Sequence, residues 1–322
     1  MVASLAGGGL LVAAGAAWPQ ISTSDRPVRL IVPFAPGGIN DTVARPLAER
    51  MRQVLGNVVV ENRAGAGGAI GATVVARAEP DGATLLLGSA ATHIVGPLVS
   101  SSPGYDPVKD FIPIGIIAVS GLAIAVHPSL PVKNLQAFVA FARDRPSQLS
   151  YASAGAGSAT HLGAELFKSL ARLPSLSHVP YRGGGPAAAD LLGGHVPVGV
   201  LNISSQMIES HRAGRLRILA VTTAKRAGSA LEIPTAIESG LPDMVALNFA
   251  GLFVPAATPA AMVERISNAL RGAVADKAVQ KLFTSAGLEL SADDTPEKAQ
   301  RFIESEIGRW SPVIRSIGLK PG

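Results

Sequence analysis

The chain has 322 residues, of which 48% are apolar, 16% charged and 4% aromatic, with a formal net charge of +5 and no cysteine. The missing cysteines exclude disulfides, thiolate metal sites, a cysteine nucleophile and lipid attachment through an N-terminal cysteine. The basic excess is small and scattered and stacking aromatics are few, so nucleic acid is not an expected partner, whereas a mild positive balance favours encounter with small anions. A chain of this length and apolar content builds more than one core, and two lobes are expected.

The first charged residue is Asp25, and the Ala/Gly/Leu/Val stretch before it contains Ala14-Gly15-Ala16, the small-x-small spacing of a signal peptidase site. Residues 1–24 are read as an export signal that lacks a positive n-region. A second uncharged run, Phe111 to Val132, is broken by Pro113, Gly115, Gly121, His127, Pro128 and Pro131. Its apolar part is too short to span a membrane, and two successive buried strands explain it better.

Past the signal, short β-branched runs alternate with helical patterns, the grammar of a parallel α/β sheet. Val28–Val32 is a buried strand, and Val43, Leu47, Met51 and Leu55 make one stripe of a helix over 41–55, with Pro46 expected to remove a hydrogen bond or kink it. A strand at 58–60, a helix over 69–78, a turn at Pro80-Asp81-Gly82 and a strand at 84–88 follow. The run from Ile112 to Val126 is long enough to leave one lobe and enter the next. The plan then repeats through LSYAS, the helix THLGAELFKSLARL, SLSHVPY, the helix PAAADLLGG, VPVGVLNI and LRILAVTT, and a second long strand, 246–255, returns the chain. Helices over 259–274, 276–285 and 296–317 close it, the last with Phe302, Ile307, Trp310 and Ile314 on one face. The expected division is therefore lobe 1 at 25–124 and 247–322, lobe 2 at 125–246, with a hinge at the two crossings.

Three strands end at small, polar loops, PFAPGG, GSAATH and ASAGAGS, and ligands of open α/β sheets bind outside the carboxyl ends of strands. In PFAPGGIND the prolines stiffen the turn, Gly37 and Gly38 allow a close approach, and Asn40 or Asp41 is available to cap the new helix. In SAGAGSATH, Ser153 and Ser158 offer hydroxyls, Gly155 and Gly157 expose amides, and Ser158 suits an N-cap. Each loop aims backbone N–H groups and a helix N-terminus at one point, so the two facing loops form an anion clamp.

Other motifs argue against alternatives. RAGAGGAIGA has Gly65, Gly67 and Gly71, but the last spacing is one residue too long for a dinucleotide fingerprint and the segment reads as a helix start. Neither GxxxxGK[ST] nor GxSxG occurs, which disfavours a nucleotide-dependent or nucleophilic enzyme. His93, His127, His161 and His178 are too dispersed for a zinc motif. Glu165 and Asp190 read as solvated helix residues, while Arg182 stands out for its place in VPYRGGG.

The blocks RPVRLIVPFAPGGIND, VVVENRAGAGGAIGATVVARAEPDGATLLLGS, YASAGAGSATHLGAELFKSL, HVPYRGGGPAAADLLGGHV and IPTAIESGLP, in this order and spacing, resemble the solute-binding proteins of tripartite tricarboxylate transporters, the Bug family. The resemblance implies a two-lobed Venus flytrap of the type II kind, each lobe a mixed, mainly parallel sheet flanked by helices. It implies a periplasmic, non-enzymatic monomer of a Gram-negative cell, without cofactor or metal, that captures a small carboxylate and delivers it to membrane permease subunits. A carrier and a sensor that presents its ligand to a signalling receptor are not separable by sequence. By this resemblance Phe34, Ala35, Gly37, Gly38, Asn40 and Asp41 on one loop, and Ser153, Gly155, Ala156, Gly157, Ser158 and His161 on the other, grip one carboxylate. Ser89, Thr92, His93, Tyr181, Arg182 and Asn202 face the rest of the ligand. Phe249 and Ala152, where the family often has Trp and Gly, leave the distal pocket open.

Overall fold

A computed structural model describes residues 26–100, 102–145, 148–291 and 295–318, and the expected export segment lies outside them. Strand β1 (Val28–Val32) leads into helix α1 (Ile39–Leu55), followed by β2 (Val58–Asn62), a 3-10 turn (Ala66–Gly68), α2 (Ala69–Ala76) and β3 (Thr84–Ser89). Helix α1 is continuous through Pro46, and its stripe of Val43, Leu47, Met51 and Leu55 is buried. Thus the apolar face outweighs the one hydrogen bond that proline removes. A π-helical turn (Ala91–Val95), α3 (Gly96–Val99) and the long strand β4 (Phe111–Val126) come next.

The chain continues with α4 (Leu135–Arg143), β5 (Ser150–Ser153), α5 (Ala159–Ala171), β6 (Ser177–Pro180), α6 (Gly184–Leu192), β7 (Val198–Asn202), α7 (Ser205–Arg212) and β8 (Arg217–Val221). Strand β9 (Leu247–Pro255), α8 (Ala260–Ala275), α9 (Lys277–Ser285), β10 (Leu288–Leu290) and α10 (Pro296–Ser316) complete it. The strands expected from β-branched runs and the helices expected from four-residue stripes are all present. Helix α7, the turn and short helix over 91–99, and β10 were not foreseen.

The strands line up in the order β2-β1-β3-β9-β4-β7-β5-β6, with β8 and β10 also paired to β4. Pairing is parallel for β1 with β2 and β3 and for β5 with β6 and β7, and antiparallel wherever β4 or β9 takes part. The sheet is mixed, as expected, but its parallel pairs sit in the outer strands, because the two long central strands run against their neighbours.

Strand β4 belongs to both halves of this sheet. Phe111–Gly121 pairs with β9, whereas Leu122–Val126 pairs with β7 and β8. Nearly every residue of β4 is buried, and the stretch expected to hold two successive strands is one long strand that runs through Pro113, Gly115 and Gly121, its burial explaining why the run is uncharged. The return connection passes beside the same point: Thr222 N–H donates to the Leu122 carbonyl (2.9 Å) and Ala246 N–H to the Thr222 carbonyl (3.0 Å). The two crossings between sheet halves therefore lie side by side.

Candidate functional site

An inner cavity of about 40 Å³ lies where strand ends of both sheet halves meet. Its walls are Phe34, Gly37, Gly38, Ile39 and Asn40 from the β1–α1 connection; Ser89 and Ala91 after β3; Ala154, Ser158, Ala159 and Thr160 from the β5–α5 connection; Gly184 and Ala188 of α6; Leu201, Asn202, Ser204, Gln206 and Met207 around the β7–α7 connection; and Asn248 of β9. None of these residues carries a formal charge.

Four helices begin at this cavity: α1 after Gly38, α5 after Ser158, α6 after Gly183 and α7 after Ser204. Ser158 Oγ accepts the His161 N–H (3.1 Å) and Ser204 Oγ the Met207 N–H (3.3 Å), which fixes two of these ends. First-turn N–H groups such as those of Ile39, Asn40, Ala159 and Thr160 have no acceptor within their helices. With four helix dipoles pointing in, the potential is positive although no ammonium or guanidinium has been desolvated. Such a site accepts an anion whose oxygens replace the missing acceptors. Two polar side-chain atoms, Ser89 Oγ and Asn202 Oδ1, are buried without a partner, and both residues line the cavity. Asn248 Oδ1 is occupied by the Ala90 N–H at 3.3 Å.

The β1–α1 connection is braced from behind. Asn62 Nδ2 donates to the Phe34 carbonyl (2.9 Å) and to Asp41 Oδ1 (3.2 Å), and Arg45 forms a two-bond pair with Asp41 at 2.8 and 3.0 Å. Burial acts to raise the Asp41 carboxyl, but the bonds from Arg45, Asn62 and the Gly37 N–H outweigh it and hold it below the ordinary aspartate value. Neither Asn40 nor Asp41 caps the helix as expected: Gly38 is the N-cap, and Asp41 reaches back from the first turn to the Gly37 N–H at 3.3 Å. Asn40 faces the cavity instead.

The β5–α5 connection has a similar support. Ser153 Oγ accepts the Gly155 N–H (3.1 Å) and lies 2.6 Å from His178 Nε2, while the Gly157 N–H donates to His161 Nδ1 at 3.2 Å. The two imidazoles stack with centroids 4.1 Å apart. Burial, and then the neighbouring His161, pushes His178 down to about 4, and burial also lowers His161. Both rings are thus neutral at pH 7, which leaves His161 Nδ1 able to accept. On the third connection, Thr92 Oγ1 accepts the Ser89 N–H (2.9 Å) and contacts His93 Nδ1 (2.9 Å). His93 is stacked on Phe253 at 3.7 Å, and burial holds it neutral by pushing it down to about 3.

An outer cavity of about 370 Å³ adjoins the inner one, sharing Phe34 and Ala154 with it. Its other walls include Gly65–Ala69, Val99, Gly155–Gly157 and Pro180–Arg182. Tyr181 OH donates to Asp190 at 2.6 Å, and burial followed by that carboxylate pushes the phenol up to about 12.

The expected site residues therefore fall into three places. Phe34, Gly37, Gly38, Asn40, Ser89, Ser158 and Asn202 line the inner cavity. Gly155, Ala156, Gly157, Tyr181 and Arg182 line the outer one. Asp41, Thr92, His93, Ser153 and His161 are buried supports that line neither cavity, and Ala35 donates its N–H to the Arg182 carbonyl at 3.2 Å. Gly184, Ser204, Gln206, Met207 and Asn248 were missed. Ser204 was legible in principle, since a strand, a serine and a helix follow one another there as at Ser158.

A sequence model described as "Tripartite tricarboxylate transporter family receptor" matches residues 43–319. The periplasmic binding protein BugD is similar in structure, with a TM-score of 0.88 and 33% identity over 92% of this chain and 99% of its own. MatC from Rhodopseudomonas palustris, solved with bound malate, has a TM-score of 0.86 and 31% identity over 90% of this chain and 99% of its own. Rpa4515 from R. palustris, solved with adipate, has a TM-score of 0.87 and 34% identity over 95% of this chain and all 100% of its own. The fold agrees with this match: the chain belongs to the tripartite tricarboxylate transporter receptor family, the Bug-type solute-binding proteins, which are receptors and not enzymes.

Proposed function

We propose that this protein captures a small carboxylate in the periplasm and delivers it, as a monomer, to the permease of a tripartite transporter. The observation that carries this reading is the inner cavity with four helix N-termini and no charged side chain. The malate and adipate held by two structural neighbours are ligands of the same chemistry. One carboxylate sits against the first turns of α1 and α5. The remainder of the ligand meets Ser89 Oγ and Asn202 Oδ1, buried groups that gain partners only from a ligand or water. Each hydrogen bond to a charged group contributes about 1.5–3 kcal/mol, and micromolar binding needs about 8 kcal/mol, so about three to six such bonds are needed.

In this reading residues 25–124 and 247–322 form one lobe and 125–246 the other, and the ligand bridges them about the crossings near Leu122 and Thr222. A thermal-shift screen of the mature protein against malate, adipate, citrate, glutamate and benzoate tests the proposal. At least one acid raises the melting temperature in a saturable way; a shift with nicotinamide nucleotides alone contradicts it.

A further inference from the structure

At two edges of the site, main chain of one half of the sheet meets main chain of the other. Helix α6 and the β5–α5 connection belong to the half of the sheet built on β5, β6 and β7, whereas the β1–α1 connection and the turn Ala66–Gly68 belong to the half built on β1, β2 and β3. At one edge the Ala35 N–H bonds to the Arg182 carbonyl at 3.2 Å, and a Cβ placed on Gly185 would lie 2.7 Å from the Pro36 carbonyl oxygen and 3.2 Å from the Gly37 carbonyl carbon. At another, a Cβ on Gly67 would lie 2.4 Å from the Ala156 carbonyl oxygen. Both would-be contacts are with backbone, which has no flexible end to swing away.

Gly185 is the second residue of α6 and its φ is not in the left-handed region, so the helix itself does not call for glycine there. Alanine at a helical position is favoured over glycine by roughly 1 kcal/mol. The reason for a bare backbone at Gly185 lies across the cleft, not in its own helix.

We infer that Gly185 is a closure-determining residue, the point at which the halves seat directly on one another over the bound solute; Gly67, whose φ of +63° calls for glycine on its own account, seats beside it against Ala156. This rests on the proposed function. Because the clasp is made of backbone, it closes in the same way over any solute that fits below it, and it leaves selection to the inner cavity. A methyl group at Gly185 holds the Pro36–Gly37 segment off by about 0.5 Å or more, since unstrained carbon–oxygen contacts begin near 3.3 Å.

The test uses the full mature chain, whose lack of cysteine allows spin labels at Gln53→Cys on α1 and Glu209→Cys on α7, both exposed. Malate and adipate are the probes, read by calorimetry and by electron–electron double resonance, with Pro186→Ala, an exposed neighbour in α6, as control. Gly185→Ala is expected to raise Kd at least tenfold, chiefly through faster release, to lose the short interspin distance, and to keep or raise the ligand-free melting temperature. Pro186→Ala stays within twofold. Binding by Gly185→Ala within twofold of the parent overturns the clasp. If the parent binds neither probe, the proposed ligand class fails separately, and the clasp is judged on ligand-free distances: the parent shows a short-distance population that Gly185→Ala lacks, and identical distributions overturn it.

Discussion

The hydroxyl of Thr222 accepts the Leu122 N–H at 2.8 Å and donates to the Ala246 carbonyl at 2.5 Å, so one buried side chain ties the outgoing strand to the returning one. Thr222→Val keeps the shape and removes both bonds, stranding a buried donor and a buried acceptor. The expected loss is about 2–6 kcal/mol, from a cost of about 1–3 kcal/mol for each of the two unsatisfied groups. Urea unfolding measures it; a change below about 0.5 kcal/mol would show that the tie contributes little.

The stacked imidazoles behind the β5–α5 connection give a pH dependence with a definite sign. His178 is lowered from 6.5 to about 4 in the folded protein, and His161 is lowered too. Between these values the unfolded chain binds more protons than the folded one, so the stability present above pH 6.5 is lost as pH falls towards about 4. His178→Gln is expected to flatten part of that decline in a series of melting curves. An unchanged slope means that His178 is not among the groups responsible.

Gly38 has extended backbone angles, and a Cβ there would meet Gly184 N at an ordinary 3.6 Å and Gly185 N at 3.7 Å, so Gly38→Val folds while its branches crowd the cavity wall between the first turns of α1 and α6. Carboxylate binding is expected to fall by at least a hundredfold with the melting temperature within a few degrees. Gly157→Val is not an equivalent test, because Gly157 has φ of +73° and a branched residue there is strained whatever the ligand does.

Ser204 and Arg182 separate helix-end binding from charge pairing. Ser204→Ala removes the N-cap of α7 at the cavity wall, at a cost of about 1 kcal/mol in stability, and is expected to weaken binding several-fold. Arg182 is exposed on the outer cavity, and Arg182→Ala is expected to change affinity less than threefold. Calorimetry on both variants decides: a larger loss with Arg182→Ala means that the guanidinium, not the helix ends, holds the anion.

Much of this was readable in the sequence because the signals are local. The stripe Val43, Leu47, Met51 and Leu55 specifies α1, and the run Ile112 to Val126 specifies the shared strand, since burial on both faces demands a long uncharged and mostly apolar run. The loop pair was legible from glycine and serine at strand ends. What faces each loop was not. Gly65–Gly68 reads as the start of α2, and only the fold brings Gly67 against Ala156; likewise Arg182–Gly185 meets Ala35–Gly37 through a contact that no periodicity encodes. Helix α7 has eight mostly polar residues, too short for a stripe to announce itself, yet its first turn supplies Ser204, Gln206 and Met207 to the cavity. His161, Ser153 and Asp41 were grouped with the ligand contacts because they share the loop motifs, whereas burial assigns them to bracing those loops.

If helix ends and amides hold a carboxylate anion in an inner cavity free of charged side chains, the charge on the ligand decides its affinity. Calorimetry with a dicarboxylate that raises the melting temperature, set beside its diamide at equal concentration, tests it directly. The acid is expected to bind with Kd in the micromolar range or tighter, and the diamide at least a hundredfold more weakly. Equal affinity for the two would mean that the helix ends do not hold an anion.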